Sequence, residues 1–152
     1  HQPIPWAYRV FFRHVGIDPD LERTPVEALA LERVRRGGFA SAGLPADALT
    51  IATAETSVAL RAFDADRIQG RPGIRRPRPG ERLEGLPGEP REGALVIADE
   101  RGPLGLLFGA TASGREVTRS TTATLLCAIQ VSGVPDIAVT EALWLAAGAL
   151  QA

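Results

Sequence analysis

The sequence has few of the residues on which several classes of functional site depend. Its single cysteine, Cys127, lies in an apolar run, and one cysteine excludes an internal disulfide and a cysteine-based zinc site. Apart from His1, the only histidine is His14, far along the chain from any cluster of hydroxyl residues. The sequence therefore predicts no Ser-His-Asp or Cys-His unit, no histidine metal site and no cofactor.

Lysine, asparagine and methionine are also missing, and all 17 basic residues are arginines. This composition is typical of a GC-rich genome; selection of arginine for bidentate phosphate contacts is the alternative. The formal net charge of −1 does not indicate a nucleic-acid-binding protein as a whole. No signal peptide and no apolar run of membrane-spanning length is visible, so the cytoplasm is the expected compartment. A first residue that is histidine suggests a trimmed N-terminus.

With 152 residues, 45% of them hydrophobic, the chain is long enough for one domain with a core. Proline and glycine mark a helix from Pro25 to about Arg36, with Thr24 and Glu27 as a capping box and a stop at Gly37. Apolar spacing predicts three more helices, at Pro5–Val15, Asp47–Leu60 and Pro135–Leu150. In the first of these, Trp6, Val10 and Phe11 are expected on the apolar side.

Short apolar runs at Ala94–Ala98 and Leu104–Phe108 predict an antiparallel hairpin, with Asp99 as a turn former between them. A further strand is predicted over Thr121–Val131. We therefore expect one α+β domain over residues 1–152, in which helices flank a mixed or antiparallel sheet.

Six of the 17 arginines lie within sixteen positions: Arg67, Arg71, Arg75, Arg76, Arg78 and Arg82. Proline and glycine interrupt the stretch Arg71–Glu92, which predicts extended segments and turns. Such a segment can present several guanidinium groups to phosphates, so RNA contact is predicted through Arg71, Arg75, Arg76 and Arg78. The alternative is a solvated face that is neutralised by the neighbouring residues Glu81, Glu84, Glu89 and Glu92.

Two stretches together resemble a known family. Residues 46–64 read ADALTIATAETSVALRAFD, and residues 93–128 read GALVIADERGPLGLLFGATASGREVTRSTTATLLCA. The order of Ala62-Phe63-Asp64, a strand ending in Asp99 and the run Val117-Thr118-x-x-Thr121-Thr122 resembles the B3/B4 domain of the phenylalanyl-tRNA synthetase β subunit. The likeness extends to free-standing proteins that carry this domain without a synthetase around it.

The resemblance implies an amino-acid pocket, because this domain of the synthetase hydrolyses mischarged tyrosyl-tRNA. It implies that the pocket is lined by residues that match the family's pocket segments: Asp47, Thr50, Glu55, Arg61, Asp64, Thr111, Glu116 and Thr118. Several of the editing positions differ here. Leu49-Thr50 replaces Thr-Asn, Arg61 replaces a histidine, and Gly109-Ala110-Thr111 replaces a loop that carries glutamate. Arg61 is expected either to bind a carboxylate or phosphate of the ligand or to form an ion pair with Asp64.

The frame of the family is therefore retained while its editing chemistry is altered, and no catalytic residue is assigned. The resemblance implies recognition of an amino acid or aminoacyl-tRNA, with hydrolytic editing in trans as one form of that function. The alternative is a non-catalytic module that binds a small metabolite or a protein partner. A water-holding polar set around Thr50, Arg61 and Glu116 would favour hydrolysis, whereas a filled pocket would favour the module.

Overall fold

The computed structural model describes residues 2–38 and 41–151, and within them four helices and two small antiparallel sheets confirm the α+β class. In chain order the elements are α1 (Pro3–His14), α2 (Pro25–Arg36), α3 (Ala46–Thr56), β1 (Ala59–Asp64), a 3-10 turn (Ala65–Arg67), β2 (Gly73–Arg75), β3 (Val96–Ala98), β4 (Pro103–Leu106), β5 (Thr124–Ile129) and α4 (Asp136–Gln151).

The chain divides into two compact units. Unit 1 consists of His1–His14, Asp18–Arg61 and Leu126–Ala152, and unit 2 of Val15–Ile17 and Ala62–Leu125. The four helices belong to unit 1, and the sheet β2-β3-β4 belongs to unit 2. Strands β1 and β5 pair with each other, and each is divided between the units.

Helix α2 has the predicted bounds, because local signals fix both ends. Pro25 fits the first helical turn, and Gly37 ends the helix with a left-handed φ of 69° while its N–H bonds to the carbonyl of Arg33. The predicted capping box, in which the Thr24 side chain would bond to a backbone N–H of the helix, is wrong. The Thr24 hydroxyl donates to the Glu27 carboxylate at 2.9 Å and makes no bond to a backbone N–H.

Helix α1 buries a different side from the one predicted. Trp6 and Val10 are 40% and 48% exposed, whereas Tyr8 and Phe12 are buried. The reason is a polar contact that the apolar pattern does not show. The Tyr8 hydroxyl donates to the carbonyl of Ile129 at 2.5 Å and accepts from the N–H of Ala59 at 3.0 Å. This side of α1 is therefore fixed to β5 and β1.

The helix predicted over Asp47–Leu60 is too long at its C-terminal end. Helix α3 ends at Thr56, because Ser57 adopts a left-handed conformation with φ of 65°, and β1 follows from Ala59. The Thr56 hydroxyl donates to the carbonyl of Ala52 at 2.7 Å and accepts from the N–H of Val58 at 3.2 Å. These local bonds replace the next helical turn.

We expect Ser57→Gly to stabilise the protein by about 0.5–1 kcal/mol. A side chain costs roughly 1–2 kcal/mol in the left-handed conformation, and part of the gain is lost to the greater freedom of glycine in the unfolded chain. Urea unfolding would measure the change. Ser132→Gly is the control, since Ser132 is exposed and does not have positive φ, so that variant should be neutral or slightly destabilised. A less stable Ser57→Gly variant would contradict the argument.

Helix α4 confirms the predicted C-terminal helix and packs against α3. Its buried residues are all small: Ala138, Ala142 and Ala146. Alanine side chains allow two helices to approach closely. On the outer side, Ile137 and Trp144 are 78% and 76% exposed.

In unit 2, strands β3 and β4 form the predicted antiparallel hairpin, and β2 extends the sheet on the other edge of β3. The strands are shorter than predicted, and a register shift between Ile97 and Ala98 places a bulge beside the turn. Leu83, Val96, Ala98 and Ala112 form the buried cluster under this sheet, with Leu106 packed against it. Strand β5 is likewise shorter than the predicted Thr121–Val131. The stretch Arg71–Glu92 contains no helix and consists of irregular segments, turns and the short strand β2, in agreement with the predicted extended segments and turns.

None of the helices found in residues 2–38 and 41–151 is long and apolar enough to cross a membrane.

Candidate functional site

The two stretches that carry the family resemblance meet at Asp64 in unit 2. Asp64 ends β1 and is buried. One carboxylate oxygen accepts from the Thr121 hydroxyl at 2.9 Å, and the other accepts from the N–H of Asp66 at 3.0 Å. The N–H of Asp64 donates to the carbonyl of Arg115 at 2.9 Å. The matched residues thus form one hydrogen-bonded corner although 57 positions separate Asp64 from Thr121.

The hydroxyl residues that follow organise themselves around this corner. The N–H of Thr118 donates to the Thr121 hydroxyl oxygen at 2.9 Å, and the Thr118 and Ser120 hydroxyls are 3.0 Å apart. Thr122 donates to the carboxylate of Asp66 at 2.9 Å. The structure therefore links two predicted pocket residues, Asp64 and Thr118, through Thr121, which the sequence analysis did not assign to the pocket.

The other two predicted pocket residues of unit 2 are placed separately. Thr111 is half-buried and forms an isolated bridge with Gly105, so it belongs to the edge of the hairpin. Glu116 is exposed. The role of Thr111 and Glu116 in a ligand pocket remains a prediction.

A buried ion pair that no sequence pattern had indicated supports this region. Arg115 and Asp99 form two hydrogen bonds of 2.6 and 3.0 Å, and their side chains are only 6% and 0% exposed. Arg115 also donates to the carbonyl of Arg67 at 2.9 Å. Asp99 accepts from the N–H groups of Gln69 at 2.7 Å and Arg101 at 2.9 Å. Asp99 is thus the predicted turn former and also the partner of a buried arginine.

Burial by itself raises the pKa of Asp99, but the bonds from Arg115 and the backbone N–H groups of Gln69 and Arg101 outweigh it and hold the pKa well below its usual range. The carboxylate is therefore ionised at neutral pH. Since both partners are occupied by each other, this pair positions the loop before Glu116 rather than offering a reactive group.

In unit 1, the predicted pocket residues on α3 lie in different surroundings. Asp47 is half-buried and its carboxylate accepts from the Ser41 hydroxyl at 2.7 Å and the N–H of Ala42 at 2.8 Å. These bonds lower its pKa, the N–H of Ala42 having the larger effect. Thr50 is half-buried and Glu55 is exposed. Asp47 therefore fixes the loop that leads into the helix.

Arg61, on the part of β1 that belongs to unit 1, is the most unusual of the predicted residues. Burial lowers the pKa of its guanidinium to about 10, and the nearby Cys127 opposes the shift. Burial likewise raises the pKa of the Cys127 thiol. At neutral pH the arginine is still protonated and the thiol is neutral. The site therefore holds a cation that has lost much of its hydration.

Of the four arginines predicted to contact RNA, Arg75 differs from the others. Its guanidinium forms hydrogen bonds of 2.6 and 2.9 Å to the two carboxylate oxygens of Glu81. This confirms the predicted neutralisation by a neighbouring glutamate at one position. Arg71, Arg76 and Arg78 are exposed.

The described residues contain no group of three or more histidine, cysteine, aspartate or glutamate side chains that could hold a metal ion. The functional side chains that the structure does bring together are hydroxyls, carboxylates and arginines.

Comparison with known protein families gives a match that includes residues of both units. The model of the B3/4 domain family matches residues 7–140. The chain belongs to the B3/4 domain family. This confirms the family predicted from the Ala62-Phe63-Asp64 and Val117-Thr118 segments.

Relatives of this B3/4 domain include bacterial proteins named phenylalanine–tRNA ligase beta subunit. The one from Streptomyces avermitilis is 38% identical over 94 residues, which cover 60% of this chain and 11% of the relative. The one from Legionella pneumophila (strain Paris) is 34% identical over 94 residues, covering 58% and 12%. The one from Xanthomonas euvesicatoria is 35% identical over 111 residues, covering 69% and 14%. The matched region thus makes up only 11 to 14% of these relatives.

Proposed function

We propose that this B3/4 domain recognises an amino acid or the aminoacyl end of a tRNA. The observation that carries the proposal is the family match over residues 7–140, with relatives whose names state that they join phenylalanine to tRNA. The retained corner of Asp64 and Thr121 supports it, since the residues that match the family pattern are also those that bond to each other.

Arg61 determines the chemical class of the ligand in this proposal. It stands where the family pattern has a histidine, and a guanidinium with a pKa of about 10 cannot serve as a neutral base at neutral pH. A poorly hydrated cation gains most from an anionic partner that forms two parallel hydrogen bonds. We therefore propose that the ligand presents a carboxylate or a phosphate to Arg61.

Hydrolysis of an aminoacyl ester would be the catalytic form of this function. Two departures from the editing pattern weigh against it, namely Leu49-Thr50 in place of Thr-Asn and the glycine-rich residues 109–111 in place of a glutamate loop. These changes remove polar groups that could position water. They favour the second candidate, a module that binds the same ligands without cleaving them.

A panel of correctly charged and mischarged tRNAs tests the proposal and separates its two forms. Loss of the ester faster than its spontaneous hydrolysis would establish a deacylase. Saturable binding of charged tRNA or a free amino acid, with ester lifetimes unchanged, would establish the module. Neither cleavage nor binding of any member at millimolar ligand would show that the proposed function is wrong.

We expect Arg61→Ala to weaken ligand binding by about 1.5–3 kcal/mol, the range for a hydrogen bond to a charged group. Stability should fall much less, because removal of a buried cation also removes its desolvation cost. Calorimetric titration with the ligand found in the panel measures the first quantity, and urea unfolding measures the second.

Arg61→Met is the matched control for packing, since it keeps the length and most of the volume of the side chain without the charge. It should bind as poorly as Arg61→Ala and be more stable than Arg61→Ala, because it keeps the packing of the side chain. If Arg61→Met binds normally, the guanidinium does not contact the ligand. If both variants unfold, Arg61 is a structural residue and its assignment to the pocket is wrong.

A further inference from the structure

Unit 2 contains a groove of about 490 Å³ that the family resemblance does not assign. One wall is the segment 76–79, the other is the segment 89–95, and residues 15–16 form part of its lining. All three segments belong to unit 2. Arg76 and Arg78 lie in one wall, and Arg91 lies in the other.

The wall that carries Arg76 and Arg78 is held in a fixed conformation. Pro77 and Pro79 alternate with the arginines, and the ring of each proline fixes its backbone φ. Glu81 holds the segment at its end, since its carboxylate accepts two hydrogen bonds from Arg75 and one from the N–H of Arg78 at 3.1 Å. The two guanidinium groups are thus presented from a backbone that is already ordered.

The opposite wall is shaped by Gly93. Its φ is +86°, and a Cβ atom placed there would lie 2.7 Å from the carbonyl oxygen of Val15. Only glycine permits this approach of residues 15–16 to the 89–95 segment. The width of the groove therefore depends on a specific backbone contact.

The wall formed by residues 76–79 carries an excess of positive charge. Glu81 is compensated by Arg75, which leaves Arg76 and Arg78 as the further charges of this wall, whereas the opposite wall carries Arg91 together with Glu89 and Glu92. Two of these arginines are separated by one residue, so their Cα atoms are at most about 7 Å apart. This distance is close to the spacing of successive phosphates in a nucleic-acid strand. Among the residues that the structure describes, those that line the groove include no aromatic side chain on which a base could stack.

We infer that this groove binds the phosphodiester backbone of RNA, with Arg76 and Arg78 as the contacting residues and Arg75 as a positioning residue. The inference rests on the proposed function, because tRNA is the RNA that an aminoacyl-tRNA-recognising domain meets. Arg71 and Arg75, which the sequence analysis predicted to contact RNA, are not contacting residues in this inference. Arg75 is occupied by Glu81, and Arg71 is not among the lining residues.

The test compares two double variants of the full chain that remove the same charge. Arg76→Ala/Arg78→Ala removes groove arginines, and Arg71→Ala/Arg82→Ala removes exposed arginines of the same segment outside the groove. The probe is uncharged bulk tRNA, titrated between about 50 and 200 mM salt. We expect the groove variant to bind about tenfold more weakly at the lowest salt, with a log–log salt slope lower by about two. The control variant should retain the slope of the wild type.

A third variant should move in the opposite direction. Glu89→Gln/Glu92→Gln removes the two acidic groups that compete with the phosphates, and we expect it to tighten tRNA binding by about threefold or more. Equal losses in the two arginine variants, or no binding of tRNA by the wild type at the lowest salt, would overturn the inference. So would unchanged binding by the glutamine variant.

The experiment separates this inference from the proposed function because uncharged tRNA carries no aminoacyl group. If the groove variant alone loses tRNA affinity while no amino acid or ester is recognised, the proposed function fails and the groove assignment stands. If Arg61→Met loses amino-acid binding while the groove variant binds tRNA normally, the groove assignment fails alone.

Discussion

Asp99→Asn is expected to lower the free energy of unfolding by about 3–5 kcal/mol, the range for breaking a buried ion pair at one partner. The substitution leaves the Arg115 guanidinium, 6% exposed, without its counter-charge. It also replaces a carboxylate oxygen that accepts from the N–H groups of the turn at Arg101 and Gly102. Urea unfolding at neutral pH measures the loss.

The pH dependence gives an independent check of the same pair. The pKa of Asp99 is lower in the folded than in the unfolded protein, so its contribution is fully present above the unfolded value of about 3.9. It is lost as the pH falls through the lower folded value. The stability difference between wild type and Asp99→Asn should therefore be constant above about pH 5 and shrink progressively below about pH 4.

Two further variants show whether the effect comes from the ion pair. Asp66→Asn removes an exposed carboxylate that accepts from Thr122, and it should cost less than about 1 kcal/mol. Asp99→Leu/Arg115→Met removes both charges, and it should be more stable than Asp99→Asn, because no unpaired charge stays buried. A loss below about 1 kcal/mol in Asp99→Asn would show that water or another group replaces the pair.

Tyr8→Phe is expected to lower the free energy of unfolding by about 2–4 kcal/mol, although only one oxygen atom is removed. The hydroxyl donates to Ile129 and accepts from Ala59, and Tyr8 is 1% exposed. Its loss leaves one buried carbonyl and one buried N–H unsatisfied, each of which costs about 1–3 kcal/mol. Thermal and urea unfolding measure the change.

Thr122→Val is a suitable control for the removal of a hydroxyl. Thr122 is exposed and its one hydrogen bond goes to Asp66, so the loss should stay below about 1 kcal/mol. If Tyr8→Phe costs no more than Thr122→Val, the bridge between α1 and the two strands does not stabilise the protein.

Elements with local end signals could be predicted from the sequence. Pro25 and Gly37 bound α2, and the turn residues between Ala98 and Pro103 identify the hairpin, so both were placed correctly. The end of α3 could not be placed, because a serine adopts the conformation that usually marks a glycine. Because no glycine or proline marks the end of the helix, the predicted helix extended to Leu60, which lies in β1.

The site residues show the same limit. The family pattern pointed to Asp64 and Thr118, which the structure connects through Thr121. It could not point to Arg115 or Tyr8, since their partners lie 16 and 121 positions away in sequence and no local pattern encodes such a pairing. Polar residues that are buried by distant partners are recognised only when the folded structure brings them together.

The division of the chain bears on its synthesis. Unit 2 is built almost entirely from one continuous stretch, Ala62–Leu125, whereas unit 1 needs His1–His14 and Asp18–Arg61 as well as Leu126–Ala152. On the ribosome, Tyr8 emerges long before its acceptor Ile129. Helix α3 therefore remains without its packing partner until α4 has left the exit tunnel. By contrast, unit 2 has by then been synthesised with all of its strands except the end of β5. Translation pauses or early termination after Leu125 should consequently yield chains that chaperones recognise through the bare α1 and α3 surfaces.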